Sequence, residues 1–356
     1  MDNKITECLL MPIAAKPVVD THPVSAKGVK AVGLISGGLD STVAARVIRD
    51  LGVEVHGVYF SMPWGCCDKD KAQQAAEKLG IKFIIMQLDD RYLEIVKKPK
   101  YGYGSALNPC VDCRIHMFSR AGQYMKSIGA DFVFTGEVLG QRPMSQMRKS
   151  MRWIEEETGL QGLLVRPLCA QLLEPTLPEQ KGLIDRAKLL NISGRSRKEQ
   201  IQLANDYGIT DYPVPAGGCL LTDQNFARRM KDAFQYGYRS FRETIALKWG
   251  RHFRVTPNFK VIIGRDEQEN EALQLYAHED DLILQLKQNN GPTAILKGNN
   301  PTRDVLSIAA GLIQRYSKFR DQTPVEVDYW QVRDRNHRFS IHADVLTEDQ
   351  ISKMQI

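Results

Sequence analysis

Apolar positions along the chain follow two alternating rhythms. Val29 to Ile35 is a short β-prone run, and after it Val43, Val47, Ile48 and Leu51 fall at helical spacing. The same alternation predicts a strand over 53–60, a helix over 69–79 and a strand over 83–88. A helix over 110–127 and a strand over 131–136 come next. Ser196 with Glu199 three residues on reads as a capping box opening a helix over 197–207. Strands that alternate with helices pair in parallel and need both faces covered. The expected fold class is therefore α/β, a doubly wound parallel sheet, and its ligands belong at the carboxyl ends of the strands.

After Cys219 the pattern changes. Residues 225–249 read as helical, short strands dominate from Arg254, and a further helix falls over 302–318. The first 28 residues hold Pro12, Pro17 and Pro23 with no sustained period. The expected organisation is an arm at 1–28, an α/β domain at 29–225, a helical linker at 226–254 and a smaller α+β domain at 255–356.

Composition narrows the class. Of 356 residues, 43% are hydrophobic and 25% charged, enough for two ordinary globular cores. No apolar run is long enough to span a bilayer and no signal-peptide pattern is present, so a cytoplasmic protein with no membrane partner is expected. The formal charge of +6 permits a polyanionic partner without requiring one. Seven cysteines, an odd number without an export signal, point to metal or catalytic use rather than a disulfide framework.

Candidate chemistry starts at Ser36-Gly37-Gly38-Leu39-Asp40-Ser41, where the first strand should turn into a helix. Such a junction aims backbone N–H groups and the positive end of a helix dipole at one point. Gly37 and Gly38 allow a tight turn and close approach of an anion, and Ser36 and Ser41 add hydroxyl donors. The lysine of the common nucleotide P-loop is missing. Asp40 suits a Mg²⁺ ion bound to phosphates, or a helix cap. Gly136, Glu137, Gln141, Arg142 and Ser145 follow another strand end and are expected on the same rim, offering hydrogen bonds and positive charge to a nucleotide.

Cys110 and Cys113 open a predicted helix, whose dipole lowers thiol pKa values, and Cys219 follows the glycines at 217 and 218. Three cysteines from two loops suit a four-iron iron–sulfur cluster (4Fe-4S) with an open fourth iron. Two other uses stay open: a persulfide pair of Cys110 and Cys219, and a structural zinc site. Cys66 and Cys67 read as a small-residue turn, and Cys8 and Cys169 as ordinary thiols. His56 and His116 read as structural.

The Ser36–Ser41 hexapeptide resembles the signature of the PP-loop ATP pyrophosphatases, with their adenine nucleotide α-hydrolase-like fold. Thr135 to Gln141 with Ser145-Gln146 is similar to a loop of the tRNA 4-thiouridine synthetases, and Lys198 to Ile201 with Ala204 and Tyr207-Gly208 to the helix that follows it there. Asn108-Pro109-Cys110 is similar to the first cysteine motif of the tRNA 2-thiouridylases, and Cys110, Cys113 and Cys219 to the triad of iron–sulfur-dependent thiolation enzymes. In the last third, Gly264 to Asn270, Ala309-Ala310, Tyr316 to Lys318 and Val325 to Val327 resemble the RNA-binding domain of NFACT proteins. There Arg303, Arg315, Lys318, Arg320, Arg333, Arg335 and Arg338 are expected on phosphates, and Tyr316, Tyr329 and Trp330 on bases.

The resemblance implies an ATP- and Mg²⁺-dependent enzyme that adenylates a tRNA pyrimidine carbonyl, expected to be uridine, and replaces oxygen with sulfur. Cys110, Cys219 and Asp40 would be catalytic. Ser36, Gly37, Gly38, Asp40, Ser41, Gly136 and Gln141 would bind the nucleotide, with Cys110, Cys113 and Cys219 as cluster ligands. The partners would be tRNA and a sulfur donor, sulfide or a persulfide carrier. No cysteine follows Cys219 to serve a rhodanese-like module, which favours sulfide. A homodimer is left open. The competing readings are a PP-loop ligase for a small metabolite and a non-catalytic RNA-binding factor.

Overall fold

A computed structural model describes residues 28–65, 69–212, 218–287, 291–322 and 324–356. The proposed N-terminal arm, Cys8, the Cys66-Cys67 pair and residues 213–217 lie outside them. The chain divides into two compact units, one up to Cys219 and one from Leu220.

The first unit is built on five parallel strands: β1 (Lys30–Leu34), β2 (Glu54–Ser61), β3 (Lys82–Gln87), β4 (Phe132–Thr135) and β5 (Leu164–Val165). Their order is β3-β2-β1-β4-β5. Helices α1 (Leu39–Asp50), α2 (Lys69–Lys78), α3 (Arg91–Lys97), α4 (Cys110–Ser127), α5 (Arg148–Thr158), the short α6 (Leu177–Gln180) and α7 (Lys198–Asp206) accompany them. The apolar runs become the sheet because a strand covered on both faces has no solvated side. Ala31, Val32, Val133 and Phe134 are fully buried.

This is the α/β architecture the alternation predicts, with the predicted elements within one to three residues of their places. Four elements carry no signal in that reading: α3, α5, the two-residue β5 and the short α6. The capping box at Ser196 does not form. The residue before α7 is Arg197, which makes no side-chain cap, and Ser196 Oγ only accepts from the Lys198 N–H at 3.4 Å.

Strand order places the chemistry. From β1 the chain winds outward through β2 and β3, then crosses back to the other side of β1 as β4. The loops after β1 and β4 therefore flank a topological switch point, where open α/β sheets bind ligands. At the usual spacing, the rim from β3 to β4 spans roughly 15 Å.

The second unit is a six-stranded sheet, order β11-β10-β8-β9-β7-β6, from β6 (Arg251–Thr256), β7 (Phe259–Ile263), β8 (Leu282–Leu286), β9 (Ala294–Lys297), β10 (Glu326–Gln331) and β11 (Asp334–His342). All its pairings are antiparallel. Helices α8 (Gln224–Gln235), α9 (Phe241–Ile245), α10 (Glu267–Tyr276), α11 (Arg303–Arg315) and α12 (Glu348–Met354) complete it. Of the expected helical linker at 226–254, α8 and α9 are helical but residues 251–254 belong to β6, and α8 is tied to this sheet through Asp232, which pairs with Arg254 at 2.7 Å and the buried Lys260 at 2.8 Å. Among the described residues no helix is long and apolar enough to cross a membrane.

Candidate active site

The loop between β1 and α1 is a closed knot of small groups. The Ser36 and Ser41 hydroxyls lie 3.1 Å apart, Ser41 Oγ also receives the Ser36 N–H at 3.2 Å, and both Ser41 and Thr42 hydroxyls donate to the Gly38 carbonyl. Gly37 has φ +76°, and a Cβ there would stand 2.6 Å from the backbone nitrogen of Ala72 on α2. Glycine is thus required twice, by torsion and by space. Gly38, by contrast, has φ −81° and ends the loop without any side-chain cap on α1. The first N–H groups of a twelve-residue helix, with its dipole, open onto this rim.

The β4 loop closes over the other side. A Cβ on Gly136 would meet the Asp40 and Ser41 backbone at 2.6 Å, so the two loops touch at the switch point. Gln141 Nε2 donates to Asp40 Oδ2 at 3.2 Å, and Arg197, just before α7, approaches the same oxygen at 3.7 Å. Asp40 therefore does not cap α1; its carboxylate turns across the rim. Its Oδ1, the Arg197 Nε and both amide atoms of the fully buried Gln200 have no partner among the described residues. A buried polar group left unpaired costs about 1–3 kcal/mol, so such a set marks a place for ligand or water. A carboxylate oxygen of this kind, beside hydroxyls and a helix N-terminus, fits a Mg²⁺-bound polyphosphate.

Burial is the largest influence on Asp40 and raises its pKa, opposed by Arg197, Gln141 and Arg142. A carboxyl raised by folding stabilises the fold below the ordinary aspartate range, and that contribution is lost as pH rises through the raised value. Asp40→Asn is accordingly expected to melt higher than the native protein at pH 7. The difference should vanish as pH falls below 3.8, the ordinary aspartate pKa. Paired melts of the two proteins across pH test this.

Glu137 is turned inward. It is buried and ion-paired to Arg166 at 3.1 Å and to Arg114 of α4 at 3.4 Å, while Arg166 also binds Glu155. Ser145 is buried as well. The two residues hold the β4 loop in shape, and the Arg114 contact ties that loop to the cysteine helix.

Cys110 and Cys113 occupy the first turn of α4, and Cys113 N–H bonds the Pro109 carbonyl at 2.8 Å. Asn108 Nδ2 donates to Cys110 Sγ at 3.1 Å, and Cys219 Sγ to the Trp64 carbonyl, after β2, at 3.9 Å. The link between the three is Tyr92 on α3, which the sequence reading missed. Its buried hydroxyl is hydrogen-bonded to Cys113 and feels the charge of Cys219 and Cys110; burial first, then these sulfurs, push its pKa well above the ordinary range. The three thiols, none in a disulfide, thus neighbour Tyr92 on the helix after β3, while the cradle follows β1.

Among the described residues no three His, Cys, Asp or Glu side chains stand close enough to hold one metal ion. That arrangement does not suit a zinc site at these thiols. Three cysteines outside any disulfide are the donor type a four-iron cluster takes, one thiolate to each of three irons. Cys169 is fully buried, its thiol pushed up to about 11 chiefly by burial, and is inert. His56 pairs with Glu54 at 2.9 Å, and His116 packs on Tyr92 at 5.8 Å.

In the second unit, Arg335 and Arg338 project from β11, exposed along nearly its whole length. Arg315 and Arg333 are ion-paired to Glu348 and Asp280. Trp330 is buried under the Arg338 guanidinium, which closes it to bases. Phe339, unforeseen from sequence, is 58% exposed and stacks on Tyr329 at 5.6 Å.

The rim and sheet order define the first unit as a PP-loop α/β domain. Residues 29–157 match the family model described as tRNA methyl transferase HUP domain, and residues 250–354 match that of the NFACT protein RNA binding domain. The chain is 36% identical over 113 residues to tRNA-specific 2-thiouridylase MnmA of Sulfurimonas denitrificans, covering 30% of this chain and 33% of that protein. It is 30% identical over 146 residues to the protein of the same name from Tropheryma whipplei (strain Twist), covering 36% and 41%. The chain therefore spans about a third to two fifths of the length of these relatives. A solved 4-thiouridine synthetase–RNA complex with bound ATP aligns with TM-score 0.38 and 23% identity, over 56% of this chain and 46% of that one.

Proposed function

We propose that the protein is an ATP-dependent tRNA sulfurtransferase of the cytoplasm, acting on a pyrimidine carbonyl, with uridine the favoured base. The observation that carries this reading is the sharing of one sheet rim by a phosphate cradle and three thiols, joined through Arg114 and Glu137. The names of the relatives and the RNA-binding family match of the second unit support the substrate class.

Ser36, Gly37, Gly38 and Ser41 hold the phosphates of ATP, and Gly136 and Gln141 line the nucleotide from the β4 side. Asp40 holds Mg²⁺, which supplies charge neutralisation to the phosphates when bound. The carbonyl oxygen attacks the α-phosphorus and pyrophosphate leaves. Fixed dipoles of the cradle stabilise the charge that develops. A sulfur nucleophile then adds to the activated carbon, and AMP departs with the original oxygen. Cys110, Cys113 and Cys219 would hold a four-iron cluster that, when bound, keeps one iron open for sulfide. Asn108 and Tyr92 orient two of those sulfurs.

The test is nucleoside mass spectrometry of unmodified tRNA after incubation with ATP, Mg²⁺ and sulfide. A thiolated pyrimidine with stoichiometric AMP and pyrophosphate is expected. ATP–pyrophosphate exchange driven by a small carboxylic acid, with tRNA inert, would replace this reading with a ligase.

A further inference from the structure

The first unit carries a basic, aromatic surface beside the cysteine helix. The rings of Tyr101 and Trp153 pack at 4.9 Å and Lys149 Nζ lies 4.7 Å from the centre of the Trp153 ring, while Lys100 is ion-paired to Glu157, which also accepts from the Tyr101 hydroxyl at 2.9 Å. Lys98 and Arg152 are exposed nearby in sequence. The loop bearing Lys100 and Tyr101 is clamped to α4 by Asp112, which lies between Cys110 and Cys113 and accepts both backbone N–H groups, at 2.7 and 3.1 Å. The platform is therefore anchored on the same helical turn as the thiols.

Charge placement on α5 gives an independent indication. Its first turn has no acid and begins Arg148-Lys149, while Glu155, Glu156 and Glu157 crowd its end. Helix dipoles favour the reverse order, so these cations are not placed for the helix's own stability. Cations interleaved with aromatic faces are what a single-stranded nucleic acid requires, phosphates meeting the former and bases the latter. An acidic peptide would make no use of the rings.

We propose that Lys149, Arg152 and Trp153, backed by the Tyr101 ring, form an RNA-docking platform on the catalytic unit that grips nucleotides flanking the target base. This rests on the reading of the protein as a tRNA-modifying enzyme. It adds a contact surface separate from the RNA-binding-type second unit, and the Asp112 clamp fixes that surface relative to the sulfur site.

The experiment compares full-length native protein with Lys149→Glu/Arg152→Gln and with Trp153→Ala. It measures binding of an unmodified tRNA transcript by anisotropy between 50 and 200 mM salt, buffer values chosen as in ordinary salt titrations. The double variant should bind about tenfold more weakly, with a salt slope shallower by roughly 1.4, as for two lost single-strand phosphate contacts. Its melting temperature should hold or rise, because Glu at the helix start suits the dipole. ATP affinity should be unchanged. Trp153→Ala should weaken binding without altering the slope. Unchanged affinity and slope in the double variant, or losses that track a fall in melting temperature, would overturn the platform. Native protein that binds no tRNA would instead overturn the enzyme reading.

Discussion

Replacing Cys110, Cys113 or Cys219 singly by serine is expected to reduce tRNA thiolation by more than about 10³-fold, the scale on which loss of an essential catalytic group acts. ATP–pyrophosphate exchange in the presence of tRNA should persist. Serine keeps the size of the side chain and, at position 110, a partner for the Asn108 amide, so the first turn of α4 should still fold. What is lost is a polarizable thiolate at neutral pH. The two assays separate the activation proposed for the cradle from the sulfur delivery proposed for the thiols. Iron content and colour add a readout independent of turnover: each variant should bind less iron if the sulfurs are cluster ligands. A serine variant that thiolates at the native rate would remove that residue from the mechanism. Iron-free protein that stays active, yet still needs Cys110 and Cys219, would favour the persulfide pair.

Gly37→Val should abolish tRNA-dependent AMP formation, a loss of about 10²–10³-fold or more, as for removing an oriented donor at a developing negative charge. Its φ of +76° is strained for a β-branched residue, and its Cβ would press on backbone atoms of Lys71 and Ala72 that cannot swing away. The loop must open, and the Ser36–Ser41 contact goes with it. Gly38→Ala provides the contrast. Its φ is ordinary and its Cβ meets only Ser36 Oγ, at 3.4 Å. The variant should melt like the native protein, so a fall in its ATP affinity reports nucleotide lying against the backbone at Gly38. Native activity in Gly37→Val would remove the cradle from the mechanism.

Much of the fold was legible because strand and helix periods are local properties. The runs over 29–35 and 53–60 are apolar because their strands are covered on both faces, the run over 83–88 is apolar although β3 is only partly buried, and α4 was bounded correctly from its own sequence. The cradle was readable for a related reason, since its residues are contiguous and its glycines answer a demand of the turn itself. Helix α5 gave no signal because its charges run against the dipole rule that marks helix ends. Ser196 misled because a capping-box spacing is necessary for the cap but does not create it. Glu137 was misplaced because a carboxylate after a strand end looks the same in sequence whether it meets a nucleotide or a buried arginine.

By itself the sequence determined a parallel α/β unit followed by a second, strand-rich one, a glycine turn suited to phosphate, and three cysteines without disulfide logic. Tertiary structure alone decided which groups share the rim. Asp40 turns to Gln141 and Arg197 rather than to its helix, Tyr92 bonds Cys113 and feels the charge of Cys110 and Cys219, and Trp330 is buried beneath Arg338. Periodicity records how a residue sits on its own element, but a site forms from residues far apart in the chain, and their meeting is set by strand order and packing.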